Sequence, residues 1–264
     1  MRNCGKNNNG CAKVKPCVPL RQKREFRRKK EERSMSMRMR KKRNFEARME
    51  ACGDLLLAQG ANGILNMKEA AESYRALVDF KQVFGEARAD LPVALEIGCG
   101  KGGFVIEMAK REPNCNYVAL EKMSNVILTP LEEVKKQGIE NIRFLNIRAE
   151  CLPCYIPEGS LDVIYLNFST PLPKLGYATQ RLTHRNFLEV YKKLLKKGGK
   201  IVQKTDDRDF FEFSLEEYEA CGFVLENKTY NLHENGNPEW NIVTEYEAKW
   251  VERGLPIHRV EAKF

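Results

Sequence analysis

The sequence contains no apolar run that approaches the roughly 20 residues needed to span a membrane, and its mean hydropathy is −0.52. Its amino terminus is basic but lacks the apolar segment of a secretory signal. These absences predict a soluble, intracellular protein of the cytoplasm that has no membrane partner. With 264 residues, 42% of them hydrophobic, the chain is long enough to bury a substantial core.

Histidine is scarce and the cysteines follow no regular spacing, which argues against a metal site. The chain has three histidines and nine cysteines, and without an export signal we expect the thiols to be reduced. Cys151 and Cys154 have C-x-x-C spacing, but no second pair or histidine lies nearby in sequence to complete a zinc site. We predict no metal and interpret both as small buried residues; metal or redox use is the less favoured alternative.

Acidic residues are scarce at the amino terminus. Residues 1–44 contain 17 Lys and Arg against 3 Asp and Glu, a net charge of +14, whereas the other 220 residues contain 28 against 33, a net charge of −5. A basic arm suits a phosphate backbone, and a solvated, disordered tail is the alternative. We place a boundary after residue 36: residues 1–36 form a disordered extension, and residues 37–264 form one domain with a helical arm over 37–90.

The spacing of apolar residues predicts the fold. Residues 45–84 place apolar side chains three and four apart, which predicts helices. From residue 92 onward, near-continuous apolar strands alternate with helical patterns and predict a parallel sheet covered on both faces. Strands are expected at 93–98, 116–121, 142–147, 161–168 and 200–205, and then in a terminal antiparallel hairpin formed by FVLENKTYNL and NIVTEYEAKW. This order predicts an α/β fold of the Rossmann-like class I methyltransferase type, with a mostly parallel seven-stranded sheet.

A glycine-rich segment, LEIGCGKGGF, lies between the first predicted strand and its helix. Gly98 and Gly100 allow a tight turn and a close approach of the backbone to a ligand at the helix amino terminus. Glu121 ends the next predicted strand, where a carboxylate can accept hydrogen bonds from both ribose hydroxyls of an adenosine. Glu96 suits an ammonium group, and the chain has a single nucleotide-binding half. We therefore favour S-adenosylmethionine as the cofactor and leave an NAD-linked oxidoreductase as the distant alternative.

Seven segments between about residues 37 and 263 together resemble one family. They are MRMRKKRN, EIGCGKGGF, ALEK, LNFS-P-PK (166–174), QRLTHRNFLEVYKKLLKKGGK, KTDD and NIVTEYEAKW. The set resembles the bacterial tRNA (guanine-N7)-methyltransferases, which methylate the guanosine at position 46 in the variable loop of tRNA. The resemblance implies an enzyme that uses S-adenosylmethionine and acts on tRNA, and we expect a monomer or homodimer.

The resemblance also implies site residues by position. Those that bind S-adenosylmethionine would be Glu96, Gly98, Gly100, Glu121, Arg148 (through its backbone) and Thr170. Those that bind the tRNA guanine would be Lys174, Asp206, Thr244, Glu245, Tyr246 and Glu247. On the predicted terminal strand Glu245 and Glu247 share a face, where carboxylates could accept from the N1–H and N2–H₂ edge of an extruded guanine and leave N7 free.

The corner at residues 170–174, TPLPK, departs from the Asp-Pro-Trp-Pro-Lys of the family. Thr170 stands at the position of the family's active-site aspartate, and Arg148 stands where the family usually has an acid near the adenine. Guanine N7 carries a lone pair and no proton, so methyl transfer to it needs no general base and depends mainly on alignment. We therefore predict a slower enzyme with Thr170 in the catalytic position. A tRNA-binding relative without turnover and a methyltransferase acting on another RNA nitrogen are the alternatives.

Overall fold

The computed structural model describes residues 41–59 and 77–264, and an eight-stranded sheet organises this part of the chain. The strands are β1 (Leu56–Gln59), β2 (Val93–Ile97), β3 (Asn116–Leu120), β4 (Ile142–Asn146), β5 (Leu161–Asn167), β6 (Leu195–Thr205), β7 (Val224–Thr229) and β8 (His258–Lys263). Their order across the sheet is β1-β4-β3-β2-β5-β6-β8-β7. β8 runs antiparallel to β6 and β7, and the other neighbouring strands are parallel.

Helices alternate with these strands along the described residues. The α-helices are α1 (Phe45–Ala51), α2 (Phe80–Phe84), α3 (Gly103–Arg111), α4 (Ser124–Gln137), α5 (Arg185–Leu194), α6 (Arg208–Ala220) and α7 (Glu245–Val251). Short 3₁₀ helices cover Gly53–Leu55, Glu86–Arg88, Ala149–Cys154 and Leu175–Gln180. None of the helices in the described ranges is both long and apolar enough to cross a membrane.

Apolar clusters cover both faces of the central strands, whose successive residues point to opposite sides. On one face Leu95 of β2 packs in a cluster with Tyr191 of α5 and Phe211 of α6. On the other face Ala94 lies in a cluster with Val105 of α3. The chain passes from β2 to β3 and β4 on one side and then returns to β5 on the other. The strand order therefore reverses between β2 and β5, and the crevice for a ligand is expected at the carboxyl ends of these two strands.

The predicted fold class is confirmed: a mostly parallel sheet between helices, closed by antiparallel strands. The interpretation of Cys151 and Cys154 as small buried residues is confirmed as well, since both belong to the core cluster. The predicted extension over residues 1–36 lies outside the described residues. Of the helical stretch predicted over 45–84, residues 60–76 also lie outside the described residues, and the structure describes α1 and α2 on either side of them.

The seven-strand count and the helix predicted after residue 52 are wrong for the described residues. β1, which contains part of the run LLLA, pairs in parallel with β4 and forms an eighth strand. Leu56 packs on one face of the sheet, and Leu57 and Ala58 pack on the other. A short apolar run that packs on both sides satisfies the helical and the strand pattern alike, so spacing alone did not distinguish the two.

The predicted second strand of the terminal hairpin is also wrong. Residues 245–251 form α7, and the strand that pairs with β7 is β8, which begins at His258. The hydroxyl of Thr244 caps α7 by accepting a hydrogen bond from the amide of Glu247 at 3.1 Å. The sequence T-E-Y-E has the Thr-x-x-Glu spacing of a capping box, a helix signal that outweighs the β-rich residues before it.

The turn before α3 gives a stability prediction. Gly102 has a φ of +80°, and a Cβ atom there would lie 2.5 Å from Cβ of Pro130 in α4. We expect Gly102→Ala to lower the free energy of unfolding by about 1–3 kcal/mol, because both the left-handed backbone and the contact with α4 oppose a side chain. Urea denaturation measures the change. Gly103→Ala is the matched control, since a Cβ atom at Gly103 meets nothing within 4 Å. An equal loss of stability in both variants would contradict the explanation.

Candidate active site

Two adjoining cavities open at the carboxyl ends of β2 and β5. The first, about 320 Å³, extends towards the ends of β3 and β4. The second, about 400 Å³, extends towards the first turn of α7. Gly98, Asn167 and Phe168 line both cavities. The two spaces therefore meet at the end of β5, where the strand order predicts a ligand crevice.

A buried carboxylate lies at the junction. Glu96 is 4% exposed, and its Oε1 accepts a hydrogen bond from Nδ2 of Asn167 at 3.0 Å. Oε2 of Glu96 and Oδ1 of Asn167 are buried and have no hydrogen-bond partner within the described ranges. Burial raises the pKa of Glu96 to about 7, although Asn167, the charge of Lys204 and the backbone amide of Val105 all act to lower that pKa. Two buried acceptor oxygens are thus available to a cationic donor.

Glu121 holds the glycine-rich turn and faces the first cavity. Its Oε1 accepts from the amide of Met123 at 2.8 Å, and its Oε2 accepts from the amide of Gly100 at 3.3 Å. Gly98 and Gly100 have φ values of +83° and +56°, and a Cβ atom at either position would meet nothing within 4 Å. These amide contacts fix the orientation of the Glu121 carboxylate, whose remaining lone pairs can accept two neighbouring hydroxyls.

Arg148 lies at the far end of the first cavity, together with Ala149 and Glu150. Nη2 of Arg148 is 2.7 Å from Oε1 of Glu150, and both side chains are about half exposed. The Arg148 charge is therefore paired at the rim. That Arg148 faces a base through its backbone stays a prediction, and Glu150 supplies a carboxylate beside it.

These features fit S-adenosylmethionine. A buried carboxylate is costly without a partner, and Glu96 and Asn167 leave buried acceptor oxygens unused. A cationic amino group would satisfy these acceptors. A ribose needs the acid that Glu121 provides, and the open glycine turn allows the close approach of a ligand to the backbone. The predicted cofactor residues Glu96, Gly98, Gly100, Glu121, Arg148 and Thr170 all line one cavity or the other.

The corner after β5 has an unusual backbone. Phe168 and Leu172 have φ values of +52° and +49°, in the left-handed region that residues other than glycine rarely adopt. The amide of Phe168 donates to the carbonyl of Lys204 on β6 at 2.8 Å, and Nη2 of Arg181 donates to the carbonyl of Leu172 at 3.2 Å. These two contacts hold the corner, and exposed Thr170 lines the first cavity between them.

The structure brings three of the six predicted guanine-binding residues to the second cavity. Thr244, Glu245 and Tyr246 line it. The ring of Tyr246 lies 5.0 Å from that of Phe168, whereas Asp206 lines neither cavity. Burial raises the pKa of Asp206, and the Tyr246 hydroxyl opposes this. Lys174 is exposed after the corner and lines neither cavity.

The predicted common face for Glu245 and Glu247 is wrong. Residues two apart share a face on a strand but point about 200° apart around a helix, and both residues lie on α7. The side chain of Glu245 is 77% exposed and 3.5 Å from Nζ of Lys101. The side chain of Glu247 is fully buried and ion-paired with Lys204 at 2.7 Å.

Several residues of the site were missed in the sequence. Asn167 and Phe168 end β5, and Lys204 lies near the end of β6; each stands in or beside an apolar strand. For Asn167 and Lys204 the available signal was a polar side chain in an apolar strand, because a buried polar group requires a hydrogen-bond partner. Nothing in the local pattern indicates His233 and Asn241, which reach Glu247 from a loop.

The fold and the two cavities define an α/β S-adenosylmethionine-dependent methyltransferase. The family model described as "Putative methyltransferase" matches residues 90–260. The tRNA (guanine-N(7)-)-methyltransferase of Macrococcus caseolyticus is 46% identical over 173 residues, which are 66% of this chain and 82% of that protein. The protein of the same name from Streptococcus thermophilus is 40% identical over 183 residues, 69% of this chain and 84% of that protein.

Solved structures agree on the fold. The crystal structure of the 16S rRNA methyltransferase KamB superposes with a TM-score of 0.55 at 14% identity, covering 72% of this chain and 98% of that chain. At this identity the likeness concerns the fold alone. The relatives and the family model together show that the chain belongs to the tRNA (guanine-N7)-methyltransferase family.

The pKa of Glu96 gives a prediction about cofactor binding. The ionised carboxylate pairs with an ammonium group, and the protonated form predominates below about pH 7. We expect the affinity for S-adenosylmethionine to fall by up to about tenfold per pH unit as the pH decreases below 7, and to level off above about pH 8. Calorimetric titration of the protein with S-adenosylmethionine at a series of pH values measures this affinity. Glu96→Gln should bind more weakly and lose this dependence, whereas a flat wild-type profile would contradict the assignment.

Proposed function

We propose that this chain transfers the methyl group of S-adenosylmethionine to N7 of a guanosine in tRNA, and that the guanosine is the one at position 46. The observation that carries the proposal is the junction of two cavities at Glu96 and Asn167. The first cavity carries Glu121, which is suited to an adenosine. The second carries Glu96, which is suited to a cationic amino group, together with residues of α7 suited to a guanine. Membership in the family supports the substrate class.

Methyl transfer to N7 requires little of the protein beyond placing the guanine in line with the methyl group. S-adenosylmethionine, when bound, supplies a methyl group on a positively charged sulfur. Guanine N7 has a free lone pair, so no residue needs to remove a proton from it. The task of the corner is to hold the purine in line and to offset the positive charge that forms on its ring. Thr170 can contribute a hydroxyl or a carbonyl to this, and the fixed corner backbone supplies the alignment.

On the guanine side, Tyr246 lines the second cavity, and Asp206 is close enough to its hydroxyl for that group to affect the pKa of the acid. A tyrosine ring gives a purine an apolar surface, and a carboxylate accepts from its N1–H and amino group. Thr244 and Glu245 lie beside them in the second cavity. We propose Lys174, exposed after the corner, for contact with phosphate, together with the basic amino-terminal arm recorded in the sequence. We place this activity in the cytoplasm, because its substrate is tRNA.

The direct test is methyl transfer from labelled S-adenosylmethionine to unmodified tRNA. We expect incorporation into tRNA and its loss when guanosine 46 is replaced by adenosine. Incorporation that survives the replacement would move the target to another nucleotide. Cofactor binding without incorporation would instead favour a tRNA-binding relative that has lost turnover, the alternative that the missing corner acid suggests.

Thr170 gives a second test. We expect Thr170→Asp to raise kcat by about tenfold, because a carboxylate near the developing cation is worth more than a hydroxyl. Single-turnover methylation of saturating tRNA measures the change. Thr170→Val, which keeps the shape and removes the hydroxyl, is the matched control and should lower kcat by a few-fold. If neither variant changes kcat, the corner acts through its backbone alone.

A further inference from the structure

Lys204 is a fully satisfied lysine inside the protein. Its side chain is 3% exposed, and Nζ donates to Oε2 of Glu247 at 2.7 Å, to Oδ1 of Asn241 at 3.0 Å and to the carbonyl of Ile242 at 3.0 Å. An ammonium group has three protons, so each of them has an acceptor. The lysine thus fixes three points of residues 241–247 to the end of β6.

The other oxygen of Glu247 is occupied as well. Oε1 accepts from Nδ2 of Asn241 at 2.8 Å and lies 2.8 Å from Nε2 of His233. Although burial opposes ionisation, the charge of Lys204 and the bonds from Asn241 and His233 hold the pKa of Glu247 below its usual range. The carboxylate is therefore ionised, enclosed and used by the protein, and it has no open direction towards a guanine in the second cavity.

Lys204 also reaches the corner. Its carbonyl accepts the amide of Phe168, which has the left-handed backbone, and its ammonium lies 5.8 Å from the centre of the Phe168 ring. That ring lies 5.0 Å from Tyr246 on α7. One residue of β6 is thus bonded to both walls of the second cavity: to the corner through its backbone and to α7 through its side chain.

We infer that Lys204 and Glu247 are positioning residues, which hold α7 against the corner so that Thr244, Glu245 and Tyr246 face the target guanine, and that Glu247 does not contact the guanine. The inference rests on the proposed function. Replacing a buried ion pair by apolar side chains of similar size often leaves stability unchanged, because desolvation offsets the attraction between the charges. The directional bonds of such a pair, however, set geometry, and a shift of about 1 Å in a reacting group can lower turnover about 100-fold.

The test is the double variant Lys204→Met with Glu247→Leu, which removes both charges together and avoids the buried unpaired charge of a single variant. We expect the variant to remain folded with a melting temperature lowered by several degrees, because Asn241, the Ile242 carbonyl and His233 lose partners. Its affinity for S-adenosylmethionine should change by less than about threefold, while kcat for tRNA falls by about 100-fold. Because the charge of Lys204 also favours ionised Glu96, binding is measured at about pH 8.5.

The matched control is the ion pair of Lys196 and Asp162, whose Nζ and Oδ2 atoms are 2.8 Å apart. Both residues lie at the amino-terminal ends of their strands, β6 and β5, whereas Lys204 and the corner lie at the carboxyl ends. Lys196→Met with Asp162→Asn should leave kcat within about twofold of the wild type, since the amide oxygen of the new side chain can still accept the backbone N–H of Val93. Wild-type kcat in the Lys204 and Glu247 double variant would overturn the inference and reduce the pair to a structural contact. So would a loss confined to cofactor binding.

A readout independent of activity comes from the two tryptophans. Trp250 lies on α7 with its ring 5.8 Å from Tyr246, so Trp240→Phe leaves one fluorophore that reports on this helix. We expect acrylamide quenching of Trp250 to rise by about twofold in the double variant and to stay unchanged in the control pair. If the wild type fails to methylate tRNA, the proposed function falls; unchanged quenching would then still overturn the inference about α7.

Discussion

The site depends on one positive charge buried at the end of β6. The ammonium of Lys204 lies between two carboxylates, Glu96 on β2 and Glu247 on α7, and it influences the ionisation of both. The two acids differ in how many of their carboxylate oxygens are hydrogen-bonded. Glu247 has all of its oxygens bonded within the protein, whereas Glu96 keeps one oxygen unpaired at the junction of the cavities, as far as the described residues extend. Lys204 is thus neutralised within the protein by Glu247, while Glu96 keeps an acceptor oxygen for a ligand.

Local sequence patterns predicted the parts of the fold that local physics determines. The alternation of buried strands and helices after residue 92 and the glycine-rich turn follow from spacing, so the sheet and the position of Glu96 and Glu121 could be anticipated. The two wrong assignments arose where spacing is ambiguous. β1 is too short to show a period, and at α7 the capping pattern begun by Thr244 competes with the β-rich residues before it.

The internal bonds of the site could not be predicted in this way. Lys204 and Glu247 are 43 residues apart, and His233 reaches Glu247 across 14. Such pairings depend on how loops return to the sheet, which no local pattern encodes. The same limit explains the error about Glu247. Its position in T-E-Y-E suggested a shared role with Glu245, but the helix turns the two carboxylates apart, one into the interior and one into solvent.

The left-handed backbone of the corner has a consequence for how such enzymes diverge. Phe168 and Leu172 adopt this backbone without being glycine, and the contacts that impose it come from Lys204 and Arg181, outside the corner. The path of the chain is therefore set by the surrounding scaffold and by the rings of Pro171 and Pro173, not by the side chains at positions 169 and 170. Substitution there changes the chemistry offered at the crevice while the loop keeps its course, so a lineage can exchange an acid for a threonine without rebuilding the enzyme around it.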